Sequence, residues 1–285
     1  MFTRKDLKQR AKGVLKTNYW SALALVALIF IAEMVLSSLI WVLILPTTLL
    51  ATAYTGYSEI IRMVFQLVTS GLVAILSILL MPLNIGLFKS LIKSSNNLPF
   101  EIKDIIWGYK NNFGNTLSTY VKIFLIIFAC SLISVVFAVL GTFVGVYICP
   151  DLIISETAFE LFVAFFGLIF ALIGSIPAII KTYDYYLAGF ILADEPDLTS
   201  KEVLKRSKAL MKGHRFFAFK LDISFIGWNM LGILLMFGLG TIFATPYIYQ
   251  TQTELYLELT GKKKDAFYDV EFKESEEPKT EEENF

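Results

Sequence analysis

The sequence predicts an all-α, polytopic helical membrane protein of about six transmembrane helices in three repeated units. Each unit is expected to be an amphipathic surface helix followed by a two-span hairpin. Three observations carry this. Of 285 residues, 56% are hydrophobic and 15% aromatic, and a soluble chain this apolar would expose large patches and aggregate. A basic stretch at residues 3–20, TRKDLKQRAKGVLKTNYW, recurs 196 positions later as TSKEVLKRSKALMKGHRF. Finally, positive charge gathers on alternate connections between the apolar runs.

The recurrence is residue by residue. Thr3/Thr199, Lys5/Lys201, Arg10/Arg206, Lys12/Lys208 and Lys16/Lys212 are identical, and Asp6/Glu202, Leu7/Val203, Val14/Leu210 and Leu15/Met211 keep their character. The first span follows at about residues 19–45, interrupted only by Glu33, and is too long for the core of a cleavable signal. Residues 46–59 then read as a turn-rich connection opened by Pro46. A second span covers about residues 61–91 and contains Pro82.

Polar SSNNLP at 94–99 marks a loop, and Ile102, Ile105, Ile106 and Tyr109 at helical spacing predict an amphipathic piece. The third span, about residues 117–148, ends at Pro150. The fourth, about 157–192, contains Pro177. ADEPDL at 193–198 breaks it, and Thr199 with Glu202 three residues on forms a capping-box signature for the helix that follows. The apolar block at 216–249 is long enough for two crossings only if both are short, with Gly238 and Gly240 offering a turn between them. Whether it makes two spans or one span and a re-entrant segment stays open. Pro82, Pro177 and Pro246 fall at similar places in the second, fourth and sixth spans. The domain plan is one membrane domain over 1–260, with units at about 1–95, 96–198 and 199–260, and an acidic tail over 261–285 expected to be disordered and cytoplasmic.

Formal net charge is zero, but residues 265–285 hold nine acids against two lysines, leaving 23 basic and 16 acidic residues before them. The basic residues sit before span one, between spans two and three, between four and five, and after six. By the positive-inside rule both termini face the cytoplasm, in the cell membrane. Lys8, Lys12 and Lys16, and Lys201, Lys205, Lys208 and Lys212, form stripes suited to anionic headgroups. The expected partners are therefore anionic membrane lipids and not nucleic acid, while protein partners are left unassigned.

No catalytic grouping, phosphate loop, metal cluster or cofactor motif is present, so the chain reads as a non-enzyme without cofactor. The lone His214 lies at a surface-helix end, where an interfacial role outweighs metal binding. Cys130 and Cys149, about 28 Å apart if on one helix, read as packing residues. What remains are ionisable residues inside spans, which are costly there. Glu33 is the deepest, about 20 Å along a helix past Trp20. Lys181 and Asp184 are three apart on one face, and Asp222 and Lys220 lie just inside span five. Lys122 is placed to snorkel toward the membrane edge.

Several segments together carry a resemblance: the opening TRKDLKQRAKGVLKTNYW, KEVLKRSKALMKGHRFFAF, LDISFIGWNMLGIL and TPYIYQTQTELY. They resemble the DUF975 family of uncharacterised integral membrane proteins over about residues 1–260. The likeness is most specific in the last third, where ADEPDLTSKEVLKRSKALMKGH and FIGW stand in the family's order. It implies a bacterial multi-pass membrane protein and carries no activity or functional residue with it. The function expected is a lipid-contacting membrane or scaffold component. The alternative is a transporter or permeation pathway through the intramembrane polar residues.

Overall fold

In the computed structural model, residues 2–53, 59–111, 113–148, 156–236 and 239–262 are described, and among them every regular element is helical. The order is α1 Arg4–Ala53, α2 Glu59–Ser95, a 3₁₀ turn Ile102–Ile106, α3 Trp107–Lys110, α4 Phe113–Ile148, α5 Glu156–Asp184, α6 Ala188–Asp194, α7 Ser200–Met211, α8 Arg215–Ile223, α9 Ile226–Met236 and α10 Thr241–Thr260. Five stretches are long and apolar enough to cross a membrane: Arg4–Leu39, Leu67–Ser95, Phe113–Tyr147, Thr157–Asp194 and Arg215–Leu234. The expected sixth is not among them. Its helix, α10, carries Gln250, Thr251, Thr253 and Glu254, all buried, in its second half.

Several boundaries differ from the sequence expectation. The first basic segment is not a separate surface helix, because α1 runs unbroken for 50 residues through Trp20 and past Pro46 to Ala53. Leu7, Ala11, Leu15, Ala22, Leu25, Val26 and Ile29 keep one buried face across the supposed junction, so no turn is needed there. The middle amphipathic piece is a single 3₁₀ turn with one helical turn. Both lie so close on α2 that a Cβ on Gly86 would meet Asp104 O at 2.3 Å, and one on Gly108 would meet Pro82 O at 2.2 Å. Tyr109 donates to the Leu79 carbonyl at 2.7 Å, in the turn before Pro82. Only the third basic segment forms a discrete helix, α7. The Glu202 carboxylate accepts from the Thr199 amide at 2.8 Å and hydroxyl at 2.7 Å, closing the predicted cap. Pro82, Pro177 and Pro246 all lie inside helices. The turn expected near Gly240 separates α9 from α10. The acidic tail beyond Lys262, Cys149, Gly238 and the connections at 54–58 and 149–155 lie outside the described residues.

Packing divides the molecule in two. Most of the buried apolar residues gather at one end, where Leu7 of α1, Ile92 of α2, Phe190 and Ile191 of α6, Val203 and Met211 of α7, and Leu255 and Tyr256 of α10 meet. This is also the end that carries the ion pairs, so water reaches it and burial there is driven by the ordinary hydrophobic effect, at roughly 1.5–3 kcal/mol per large side chain. A smaller cluster of Leu15, Ala22, Leu25, Val26 and Ile29 of α1 with Leu87 and Leu91 of α2 continues into the spans, and α4 and α5 have little such core. α4 and α5 pair with each other and expose their outer faces. In lipid that pairing needs close backbone approach in place of hydrophobic burial, and glycines supply it. A Cβ on Gly141 would meet Phe166 O at 2.6 Å, on Gly145 Val163 Cα at 2.9 Å, and on Gly174 Ser134 Cα at 2.7 Å. Ser134 also donates to the Ala171 carbonyl at 2.8 Å. Gly174→Ala is therefore expected to lower the thermal midpoint of the detergent-solubilised protein, overpacking costing about 1–3 kcal/mol. Gly71→Ala, where nothing lies within 4 Å, should leave it unchanged or raise it.

Candidate functional site

Where α1 passes α9 and α10, the three helices leave a lateral groove of about 890 Å³. Leu15 and Tyr19 of α1, Trp228 and Leu231 of α9, and Phe243 and Ala244 of α10 form its walls, with Lys12 and Lys16 on the α1 side. The groove is closed where α9 and α10 touch at glycines: a Cβ on Gly232 would meet Thr241 N at 2.6 Å. Tyr19 donates to the Phe243 carbonyl at 3.1 Å, tying α1 to α10 across it. Next to the groove is a second cleft of about 700 Å³, lined by Arg4, Lys5, Lys8, Lys12, Ser224 and Tyr247 among others. Lys12 and Tyr247 belong to both.

This arrangement revises the α1 stripe. Lys8 donates to the Ser224 carbonyl at 3.4 Å and lies 4.1 Å from the centre of the Phe225 ring, so it is partly committed to the fold. Lys12 stands 5.7 Å from the Tyr247 ring centre. Lys16 is exposed at the groove. On α7, Lys201, Lys205 and Lys208, with Lys212 just past its end, are all exposed, while Ser200, Val203, Ser207 and Met211 are buried on the other face.

Glu33 lies deeper, on a small cavity of about 120 Å³ between α1, α2 and α10, together with Asn84, Thr241, Thr245 and Tyr249. Thr245 donates to its own helix at the Thr241 carbonyl, 2.9 Å away. The other intramembrane candidates have structural partners. Asp184, 1% exposed, pairs with Arg215 at 2.5 Å and Lys181 at 3.5 Å. Asp222 accepts from Tyr186 at 2.6 Å and Tyr183 at 3.1 Å, and Lys220 sits 4.1 Å from the Phe216 ring centre. Lys122 donates to the Ser200 hydroxyl on α7. His214 stacks on Phe2, with ring centres 6.2 Å apart.

An ionic layer borders these sites. Arg10 meets Glu258 at 2.6 Å, Lys93 meets buried Asp104 at 2.7 Å, and Arg206 meets Glu195 at 2.5 Å. Lys262 holds Asp194 at 2.5 Å and also Glu195, and Tyr256 donates to Asp194 at 2.7 Å. Burial alone would lower the Lys262 pKa, but hydrogen bonds and charge from Asp194 and Glu195 outweigh it and hold the ammonium above the usual lysine value. Because the folded pKa is the raised one, the pair's contribution is full at neutral pH and is lost only as pH rises through the lysine range.

The groove, its basic cleft and the Glu33 cavity all depend on residues absent from the sequence-level candidates: Arg4, Asn84, Trp228, Phe243, Ala244, Tyr247 and Tyr249. The signal available was TPYIYQTQTELY, whose aromatic residues alternate with small and polar ones, but nothing in it says which helix they face. Among the described residues no group of three or more His, Cys, Asp or Glu stands close enough to hold a metal ion.

Five helices long and apolar enough to cross a bilayer mark this as a helical protein of the membrane. The chain belongs to the family described as "Protein of unknown function (DUF975)", whose profile matches residues 1–263. No curated protein and no solved structure matches.

Buried Asp184 and its two half-exposed partners give a test of the ionic contacts. Asp184→Asn removes the charge that Arg215 and Lys181 meet and is expected to cost about 1–3 kcal/mol, because both cations stay within reach of solvent. The readout is a marked drop in thermal midpoint and in folded yield. Lys205→Gln, at an exposed position on α7, should be near neutral by the same measurement.

Proposed function

We propose that this protein is a non-enzymatic, lipid-contacting component of the bacterial cell membrane, with both termini on the cytoplasmic side. The observation that carries this reading is the division of α7 into a buried face and an exposed lysine row. A helix that buries Val203 and Met211 in the protein and turns Lys201, Lys205, Lys208 and Lys212 outward beside the apolar spans presents its charge at headgroup level. Each such lysine contributes on the order of 1 kcal/mol near an anionic surface, and salt screens it. The lack of a nucleophile–base or metal grouping in the sequence supports a role in organising membrane and not in chemistry.

The test uses the full-length protein in bilayers containing spin-labelled phosphatidylglycerol or phosphatidylcholine. The protein should prefer the anionic label, and replacing the four α7 lysines with glutamine should reduce that preference at least about twofold and flatten its salt dependence. An unchanged preference overturns the α7 reading. A reporter fused after Gly261 should be active only in the cytoplasm.

A second reading is favoured by the Glu33 cavity. A carboxylate, an amide, two threonines and a tyrosine converging between three helices within a crossing is the composition of a proton or cation relay. Under that reading Glu33→Gln abolishes proton or cation flux in proteoliposomes at normal abundance. Equal flux with and without Glu33 excludes it.

A further inference from the structure

We propose that the basic cleft and the apolar groove form one site, which holds a single anionic phospholipid. Its phosphate is placed among Arg4, Lys5, Lys8 and Lys12, and an acyl chain runs along α1 toward Tyr19 and Phe243. This rests on the lipid-contact reading above, but uses none of the α7 lysines.

The two volumes behave as head and tail of one amphiphile. They share Lys12 and Tyr247, so the basic end opens directly into the apolar one. Four cations line the cleft and none of its lining residues is acidic. Asp6, the nearest carboxylate on α1, is engaged by the Thr3 amide at 2.8 Å. The geometry of the helices sets the direction. α1 and α9 run inward from the ionic layer while α10 returns, so Lys8, Ser224 and Tyr247 lie at the shallow end and Leu231, Gly240 and Phe243 at the deep end. From Lys8 to Tyr19 is eleven residues, or about 16 Å of helix, which sets the length over which one lipid would lie along α1. The groove volume also falls within the range of about 300–1,000 Å³ typical of small-molecule sites.

Orientation selects the occupant. The groove opens sideways from Trp228 and Leu231, which belong to a stretch apolar enough to cross a membrane, and from exposed Phe243 beside them, so a molecule already in the bilayer enters it without crossing water. A soluble peptide or nucleotide has no such route. Arg4 and Lys8 already touch backbone carbonyls, but a neutral lipid would bring no net charge to this cluster of four cations, whereas a phosphodiester without a counter-charge in its headgroup does. The Gly232–Gly240 contact sets the floor of the groove, since side chains there would push α9 from α10 and open the pocket to the rest of the bilayer.

The experiment is native mass spectrometry of the full-length protein, released from detergent after extraction from membranes containing phosphatidylglycerol and phosphatidylethanolamine. The wild type should retain one phosphatidylglycerol per chain. Lys5→Gln/Lys12→Gln, both exposed positions, should lower the lipid-bound fraction about tenfold. Ala244→Trp, which fills the groove, should abolish retention, and the α7 quadruple glutamine variant should keep it. If Ala244→Trp fails to elute as a folded monodisperse species, the Lys5/Lys12 variant decides. No retained lipid, equal retention of phosphatidylethanolamine, retention unaffected by Lys5→Gln/Lys12→Gln, or retention of a polyisoprenyl phosphate in place of a phospholipid overturns the proposal. No lipid retained by the wild type alongside an intact wild-type spin-label preference would sink this site alone. A wild type with no anionic preference, or an α7 variant with the preference unchanged, that still holds the lipid would sink the α7 reading alone.

Discussion

Hydrophobic burial can organise this protein only where water is the competing solvent. Inside a bilayer, lipid tails solvate leucine as well as another helix does, so apolar side chains gain little by meeting each other. The distribution of buried residues follows that constraint. Leu7, Ile92, Phe190, Val203, Leu255 and Tyr256 converge beside the ion pairs, while α4 and α5 leave large residues such as Leu132, Val136, Leu168 and Leu172 facing outward. Where α4 and α5 do hold together, backbone approach at Gly141, Gly145 and Gly174 takes the place of a core. One end of the molecule is thus built like a soluble domain and the other like a membrane bundle.

The soluble-like end fixes the positions of the helices that make the groove. Arg10 to Glu258 and Tyr19 to the Phe243 carbonyl link α1 with α10 at two depths. Lys262 with Asp194 and Glu195 ties the end of α10 to α6 and, through Arg206, to α7. Exposed pairs of this kind contribute little each, but several sharing the same carboxylates lose less side-chain entropy per contact. With α1 and α10 held, α9 spans the remaining side and meets α10 closely at Gly232 and Gly240. The groove is what is left between a fixed pair and a third helix drawn close at its glycines. The lysines of α1 serve in two ways: Lys8 packs on Phe225 and caps a carbonyl, while Lys12 and Lys16 remain open to the groove.

Much of this was legible in the residues. The helical class follows from apolar runs that only helices can carry through lipid with every backbone group satisfied. Thr199 and Glu202 announced the start of α7, and Gly240 the turn before α10. The family assignment followed from the same segments. Pro46 misled, because a proline reads as a helix break in water, whereas α1 continues past it. The middle amphipathic piece misled for a different reason. Its isoleucines have helical spacing, but Gly86 and Gly108 let its backbone sit directly on α2, and that contact displaces a longer helix. For the candidate site, Glu33 and the lysines were visible because charge within or beside an apolar run is conspicuous. Asn84, Thr245, Trp228 and Ala244 were not, being ordinary residues until a neighbour faces them.

The sequence by itself determined that the chain is helical and membrane-embedded, because composition and run length set the cost of leaving the bilayer. It also determined where positive charge clusters along the chain, since that is written in consecutive residues. Only the tertiary structure decided that the first basic segment continues straight into its span while the last one stands apart as α7. The structure likewise assigned Asp184 to Arg215 and Asp222 to two tyrosines, and left Glu33 on a cavity. Such outcomes turn on contacts between residues up to some 250 positions apart, such as Arg10 with Glu258. A local pattern reports which face of a helix is apolar or charged, but not which other helix comes to lie against it.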